Sequence, residues 1–435
     1  MVIRETRSVC PVCLDPVAAQ LIEDNGAVYL HKECARHGIF KVPVSKFPER
    51  YKELSRAYCY LTQQDNRQRE YYICLTKRCN INCQICFLKY CKDSTQDATP
   101  DDVSMLAVKT KGVRRFTFSH GEATIHPDLC KIIRILKQQN KLTNIHTNGI
   151  KISDFNYALS LKDAGIDHIS LQFDGFAEGV YAALRKDGLL KYKLLALDNL
   201  KKLSIPVTLN ATIARGINED QIGKIFDYAV KEPFIKDISF ITYSHYENAQ
   251  DNAGRYLMPE DLLPFIERHT SGGISINSIV LFQKLYYAYI CAFKKRKCFN
   301  YLHFLVIRKN KGFVPISEVI DLGKFERMLN SIIEKKKKIT ILTFLTTLLL
   351  SLNFKKSVYL LDCVPLLFQG WHPRRPHKLL AVTFASICDP YKYDAFIAEN
   401  CGQGIFCDGK LYASYGAFLM EKISQQREEN ESCPC

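Results

Sequence analysis

The sequence predicts an α/β fold: a partial (β/α)6 barrel with a small N-terminal metal-binding lobe and a Cys-rich α+β C-terminal domain. Three observations carry that prediction. Six short, strand-like apolar runs recur between residues 71 and 243, amphipathic helical patterns fill the intervals, and cysteines gather on both flanks and directly after the first run. Strands that alternate with helices imply a parallel sheet with right-handed crossovers. The stretch is too short for a closed eight-stranded barrel.

The runs are Tyr71–Thr76, Arg115–Ser119, Asn144–Thr147, His168–Asp174, Val207–Ala214 and Asp237–Tyr243. One helix is expected to open at Pro127-Asp128 and bury Leu129, Ile132, Ile133 and Leu136. Another opens at Asn218-Glu219-Asp220 and buries Ile222, Ile225, Phe226 and Ala229. These patterns divide the chain into residues 1–66, 67–285 and 286–435. In such folds ligands collect at the carboxyl ends of the strands, where this chain places its polar exceptions.

With 435 residues, 47% of them hydrophobic, the chain can bury a sizeable core in more than one domain. Its formal charge of +15 reads first as a basic soluble surface. Beyond that it favours an anionic partner, such as phospholipid headgroups or a phosphorylated substrate. Basic motifs interleaved with aromatics are missing, so nucleic acid is not expected. The N-terminus, Met1 to Thr6, lacks the apolar core of a secretory signal, and the expected location is cytoplasmic. Eighteen cysteines in a chain of that kind point to metal ligation rather than disulfides. Cys59, Cys74 and Cys130 lie in apolar surroundings and read as core residues.

The apolar segment Ile339–Leu352 follows Lys335 to Lys338. Its 14 residues fall short of the roughly 20 that span a bilayer. A buried helix is the plain reading, and peripheral contact with an acidic membrane surface is the sharper one.

The chemistry concentrates in Lys77-Arg78-Cys79-Asn80-Ile81-Asn82-Cys83-Gln84-Ile85-Cys86-Phe87, directly after the first strand. Thiolates suit iron–sulfur clusters or zinc. A structural zinc wants four ligands, commonly two separated pairs. Three cysteines spaced x3 and x2 suit a cubane that leaves one iron without a protein ligand.

This spacing resembles the signature of the radical S-adenosyl-L-methionine (SAM) superfamily, and the middle third of the chain looks like a member. The resemblance implies a [4Fe-4S] cluster on Cys79, Cys83 and Cys86, whose open iron chelates SAM. It also implies an electron donor such as a small reductase, ferredoxin or flavodoxin. Phe87 resembles the residue that packs on adenine. Ser119-His120-Gly121-Glu122-Ala123 resembles the Gly-Gly-Glu-Pro element that holds the SAM amino group, with His120 and Ala123 departing from it. Asn148 fits a turn facing the cofactor, Gln172 and Asp174 fit the SAM ribose or substrate, and Thr212 and Arg215 close the fifth strand. Arg215 could pair with the SAM carboxylate.

A narrower resemblance rests on Cys10-Pro-Val-Cys13, Cys34-Ala-Arg-His37-Gly38, Leu171-Gln-Phe-Asp-Gly175 and Ala214-Arg-Gly-Ile-Asn218. These resemble the branch that holds archaeal tetraether synthases and radical SAM methylases of the pterin precursor. It implies a mononuclear iron or zinc site on Cys10, Cys13, Cys34 and His37 or another thiolate, and auxiliary [4Fe-4S] clusters near the C-terminus. Cys291, Cys298, Cys363, Cys388, Cys401 and Cys407 are the candidate ligands there. Ser414 stands where the pattern brings a further cysteine. The expected function is hydrogen abstraction from an unactivated carbon, with carbon–carbon coupling of lipid chains leading. Methylation of a pterin-like small molecule and a non-catalytic electron carrier or scaffold are the other readings.

Overall fold

The computed structural model describes residues 1–62, 70–81, 83, 85–86, 97–243, 257–294, 299–359, 378–414, 416–418 and 421. The chain begins with an antiparallel sheet of β1 (Val2–Val9), β2 (Pro16–Asp24), β3 (Ala27–Cys34) and β4 (Gly38–Ser45). Asn25 and Gly26 join β2 to β3 with φ of 46° and 73°. That backbone matches the twist of a two-residue hairpin, and Asn-Gly adopts it at little cost. Period-two alternation then gathers Ala19, Leu21, Val28 and Leu30 on one face, closed by Tyr51 of α1 (Pro48–Thr62).

The six expected strands form as β5 (Glu70–Ile73), β6 (Arg115–Phe118), β7 (Leu142–Thr147), β8 (His168–Gln172), β9 (Val207–Ile213) and β10 (Ile235–Thr242). They lie side by side in chain order, each parallel to the next. Parallel strands covered on both faces read as continuous apolar runs. Phe116, Phe118, Ile145, Ile169, Leu209 and Ile238 are accordingly all fully buried.

The intervals hold α2 (Pro100–Lys109), α3 (Leu129–Gln138), α4 (Phe155–Ala164), α5 (Glu178–Leu184), α6 (Leu190–Lys202) and α7 (Gln221–Lys231). Helix α3 buries Leu129, Ile132, Ile133 and Leu136, and α7 buries Ile222, Ile225, Phe226 and Ala229, as their periodicity predicts. Helix α2 starts with a capping box between Thr99 and Asp102 and has Pro100 in its first turn.

The C-terminal third enlarges this sheet at both edges. It supplies β11 (Tyr301–Arg308), β12 (Phe313–Pro315), β13 (Leu379–Ser386), β14 (Gln403–Cys407) and β15 (Lys410–Tyr412). β13 runs parallel beside β10 and β14 parallel beside β5. β11, β12 and β15 add antiparallel margins. The order is β12-β11-β13-β10-β9-β8-β7-β6-β5-β14-β15, an open, partial barrel among the described residues. Phe240 stacks on Phe384 at 5.7 Å and seats β13 against β10. Truncating such a buried ring costs about 3–5 kcal/mol.

Helix α8 (Pro259–His269) precedes α9 (Ile276–Ala292), which is buried nearly all round and contains the apolar run from Ile279. It packs against α1 and against α10 (Leu322–Glu334). The apolar segment 339–352 forms α11 (Ile341–Leu350), in which Phe344, Thr347 and Leu348 face inward. No helix among the described residues is long and apolar enough to cross a membrane.

The N-terminal sheet is moored to the segment after β13. Buried Lys32 donates through Nζ to Ser8 Oγ (3.1 Å), to Val9 O (2.8 Å) and to Pro390 O (2.7 Å). Thr6 Oγ1 donates to Asp394 at 2.7 Å, and Arg4 pairs with the same carboxylate.

Candidate radical SAM site and metal centre

β5 stops at Ile73, three residues before the predicted end, because the backbone there turns into the cysteine loop. The loop leans on the segment after β6. Gly121 has φ +54°, and a Cβ placed on it would stand 2.4 Å from Thr76 O and 2.5 Å from Arg78 O. Only glycine allows that approach. Glu122 N donates to Arg78 O at 2.8 Å, and Ser119 N to Ile73 O at 3.0 Å. On the other side Asn148 Nδ2 donates to Asn80 Oδ1 at 2.7 Å. Ile81 packs with Tyr181 and Leu189, and Ile85 with Val180, Leu184 and Ala214.

These contacts set Cys79, Cys83 and Cys86 at the carboxyl ends of the strands, none of them in a disulfide and Cys79 the most exposed of the three. The Cys79 sulfur is nonetheless largely desolvated. That pushes its thiol up to about 11, and Glu122, Cys83 and Cys86 add their charges. Ile81 N points at Cys79 Sγ at 3.5 Å, and Cys86 N donates to Cys83 O at 3.3 Å. Three soft donors share one electrostatic neighbourhood on a loop braced by a glycine shelf. That donor set fits a cubane, whose corners hold thiolates farther apart than one tetrahedral ion does. Phe87 lies outside the described residues.

Glu122 is 1% exposed and its carboxylate is fully engaged. It accepts from Thr124 N (3.2 Å), Thr124 Oγ1 (2.5 Å), Thr147 Oγ1 (2.7 Å) and Asn148 N (2.7 Å). It therefore ties the end of β6 to the end of β7. His120, with φ 76°, turns its ring away into a 5.0 Å edge contact with Phe418. Burial lowers that imidazole to about 4. The departure from glycine thus fills the space beneath β14 and β15.

Beyond β8, Asp174 is completely buried. It accepts from Arg185 Nε (2.9 Å) and Nη2 (3.2 Å), from Thr212 N (2.8 Å) and from Gln172 Nε2. Arg185 Nη2 also donates to Thr212 Oγ1 at 2.8 Å. Burial opposes the guanidinium charge, but the Asp174 carboxylate wins, with Cys83 adding to it, and holds the pKa above its usual value. Lys193 Nζ donates to Gln172 Oε1 at 2.5 Å and to Asn148 O, and burial lowers it to about 8. Gln172, Asp174, Asn148 and Thr212 are therefore brought into one network. Arg215 is half-exposed and faces Asp261 at 3.5 Å.

The sequence reading missed Arg185 and Lys193. Lys193 had a signal: it stands where the stripe of Ala196, Leu197 and Leu200 on α6 calls for an apolar residue. Arg185, just past α5, had none.

At the N-terminal lobe the ligand atoms of Cys10, Cys13, Cys34 and His37 all lie within 4.8 Å of one another. Cys13 and Cys34 sulfurs are 3.8 Å apart, and His37 Nδ1 is 3.6 Å from Cys10 and 3.5 Å from Cys34. Tetrahedral bonds of roughly 2.3 Å to sulfur and 2.0–2.1 Å to nitrogen give edges of about that length. The Arg36 backbone amide, then His37, lowers the Cys34 thiol to about 6, so it ionises ahead of Cys13. The four fit one zinc or iron ion.

The C-terminal cysteines divide. Cys388, after β13, feels the charge of Cys401, and burial pushes its thiol up strongly. Cys407 ends β14 in a different cluster with Cys74, Val9, Leu14 and Phe418. Cys291 lies in the apolar core on α9, where burial pushes it up to about 11. Cys298 and Cys363 fall outside the described residues. Ser414 is buried and its Oγ accepts from Ala417 N at 3.1 Å.

The thiolate loop and its strand-end network define a radical SAM domain: residues 73–229 match the model of the Radical SAM superfamily. Residues 2–46 match the HMPTM N-terminal zinc ribbon domain. Its cofactors are accordingly a [4Fe-4S] cluster and SAM, with a metal ion at the N-terminal site.

Among similar proteins is the 7,8-dihydro-6-hydroxymethylpterin dimethyltransferase of Methanocaldococcus jannaschii, 29% identical over 303 residues, 62% of this chain and 60% of that one. A probable GTP 3',8-cyclase of Pyrococcus abyssi is 29% identical over 161 residues, 37% of this chain and 52% of that one. The chain thus spans little more than half the length of these relatives. Of solved structures, Streptococcus suis SuiB bound to precursor peptide SuiA is 16% identical at a TM-score of 0.42, covering 52% of this chain and 49% of that one.

Proposed function

We propose that the protein is a radical SAM enzyme that abstracts hydrogen from an unactivated carbon, with a lipid chain as substrate and carbon–carbon coupling as outcome. The observation that carries the radical chemistry is the Gly121 shelf beneath the loop of Cys79, Cys83 and Cys86. Cys79, Cys83 and Cys86 would hold the cluster, which once reduced would donate one electron to the sulfonium of SAM, the chemistry that yields methionine and a 5'-deoxyadenosyl radical. A ferredoxin, flavodoxin or small reductase delivers that electron.

The chain's own part is to position and to exclude water. Glu122 clamps two strand ends, so the backbone around Gly121 is held in a fixed place beside the cysteine loop. Asp174 and Arg185 hold Thr212, and Lys193 fixes Gln172 against Asn148. The buried Tyr181 ring closes the floor below Ile81. Cys10, Cys13, Cys34 and His37 staple a small lobe with a modest core of its own. Cys388 and Cys401 are the described pair closest to an auxiliary ligand set.

A lipid substrate is supported by the net charge of +15 and by the exposed apolar side of α11. A second reading, methylation of a pterin-like molecule, is favoured by the named relative and by the zinc ribbon match. Anaerobic reconstitution followed by dithionite and SAM tests the chemistry. Release of 5'-deoxyadenosine is expected, and its absence from a fully loaded protein favours the electron carrier or scaffold instead. Deuterium carried into 5'-deoxyadenosine from a labelled acyl or isoprenoid chain supports the lipid. Transfer from a labelled pterin alone overturns it.

A further inference from the structure

Helix α11 is apolar on both sides, and the described residues turn only one of them inward. Phe344, Thr347 and Leu348 turn inward, Phe344 onto Phe293 and Phe325. Away from that side Ile341, Leu342, Leu349 and Leu350 are exposed, and so are Phe354 and Val358 in the short turn that follows the helix. Leu342 is 75% exposed and Phe354 79%. Single exposed apolar residues are ordinary; a contiguous set on one helix face marks an interaction surface.

The rim says what covers it. Lys335, Lys336, Lys337 and Lys338 run into the start of α11 and all are exposed, as is Lys355 at its far end. Lys356 is held by Glu318. Two copies meeting through this face would oppose two like-charged rims, so a second copy is a poor occupant. An anionic, greasy surface satisfies both halves at once. The helix has 10 residues, about 15 Å, far less than a bilayer core of about 30 Å. It can lie in the interface but cannot span it.

We propose that α11, with Phe354 and Val358, docks the protein on an anionic bilayer. The apolar side chains enter the headgroup–acyl boundary, and Lys335–Lys338 and Lys355 meet the phosphates. The described residues of the thiolate loop pack against other parts of the chain, so the proposal stands whether the substrate is lipid or pterin.

The test is co-sedimentation of the full, metal-loaded chain with vesicles of phosphatidylcholine alone or mixed with phosphatidylglycerol. Binding is expected only with the anionic mixture, and it weakens as salt is raised. Replacing lysines 335–338 by Gln weakens it about fivefold per charge near the surface. The variant L342S/L349S/F354S changes only exposed side chains, and it loses binding while keeping its circular dichroism and iron content. Equal binding by that variant overturns the proposal. So does absence of vesicle binding together with a dimer that the variant dissolves, or with salt-sensitive retention on DNA. Release of 5'-deoxyadenosine without vesicles is measured in parallel, so failure to dock and failure of the radical chemistry are told apart.

Discussion

Replacing Gly121 by alanine strikes the joint between cofactor loop and barrel. The added Cβ stands 2.4 Å from Thr76 O and 2.5 Å from Arg78 O, whereas ordinary contact begins at 3.4 Å. Both neighbours are backbone atoms, so no side chain can swing aside, and the loop must retreat by about an ångström. The φ of +54° adds about 1–2 kcal/mol for a residue with a Cβ. A displacement of that size at a reacting centre costs on the order of 100-fold in rate. Gly188 separates the two effects. Its φ is +74° with nothing within 4 Å of its Cβ position, so Gly188→Ala carries the backbone strain without the collision. Iron content, SAM binding and 5'-deoxyadenosine release are measured on both after anaerobic reconstitution. Gly121→Ala loses roughly two orders of magnitude in release, and Gly188→Ala loses stability only. Normal loading and turnover of Gly121→Ala would refute the reasoning.

Further outcomes follow from the buried groups. Asp174→Asn leaves Arg185 buried without its counter-charge and destabilises the domain by about 3–5 kcal/mol, read by chemical denaturation; a smaller loss means water reaches the guanidinium. His120 titrates at about 4 in the fold and at 6.5 unfolded, so the unfolded chain binds the proton first as pH falls. Stability therefore drops between about pH 6.5 and 4, by on the order of 3 kcal/mol in full, and His120→Phe flattens that slope in denaturation series across pH. Stripping the N-terminal metal with a chelator, or Cys34→Ser, lowers the melting temperature and opens β1–β4 to proteolysis, and restored zinc reverses only the former.

The features legible in the sequence are those whose determinants sit close together in it. Cys79, Cys83 and Cys86 fall within one loop, and the ligand pairs Cys10/Cys13 and Cys34/His37 sit at hairpin ends. The strands of the barrel announce themselves as buried apolar runs, and α3 and α7 by their stripes. What escaped depends on distant pairing. β13 lies beside β10 and β14 beside β5 across long separations in the chain, so residues expected to form a domain of their own complete the sheet edges. Arg185 reaches Asp174 only because α5 turns back over β8. Asp261, the carboxylate 3.5 Å from Arg215, is likewise out of sight in the sequence, because α8 brings it there from far along the chain.

Electron paramagnetic resonance of the reduced, reconstituted protein, recorded with and without SAM, bears most directly on the assignment of the loop. Addition of SAM is predicted to shift the signal of one cluster, and replacing Cys79, Cys83 and Cys86 together by alanine to abolish that responsive signal while leaving the N-terminal metal in place. A SAM-responsive cluster that survives the triple replacement would contradict it.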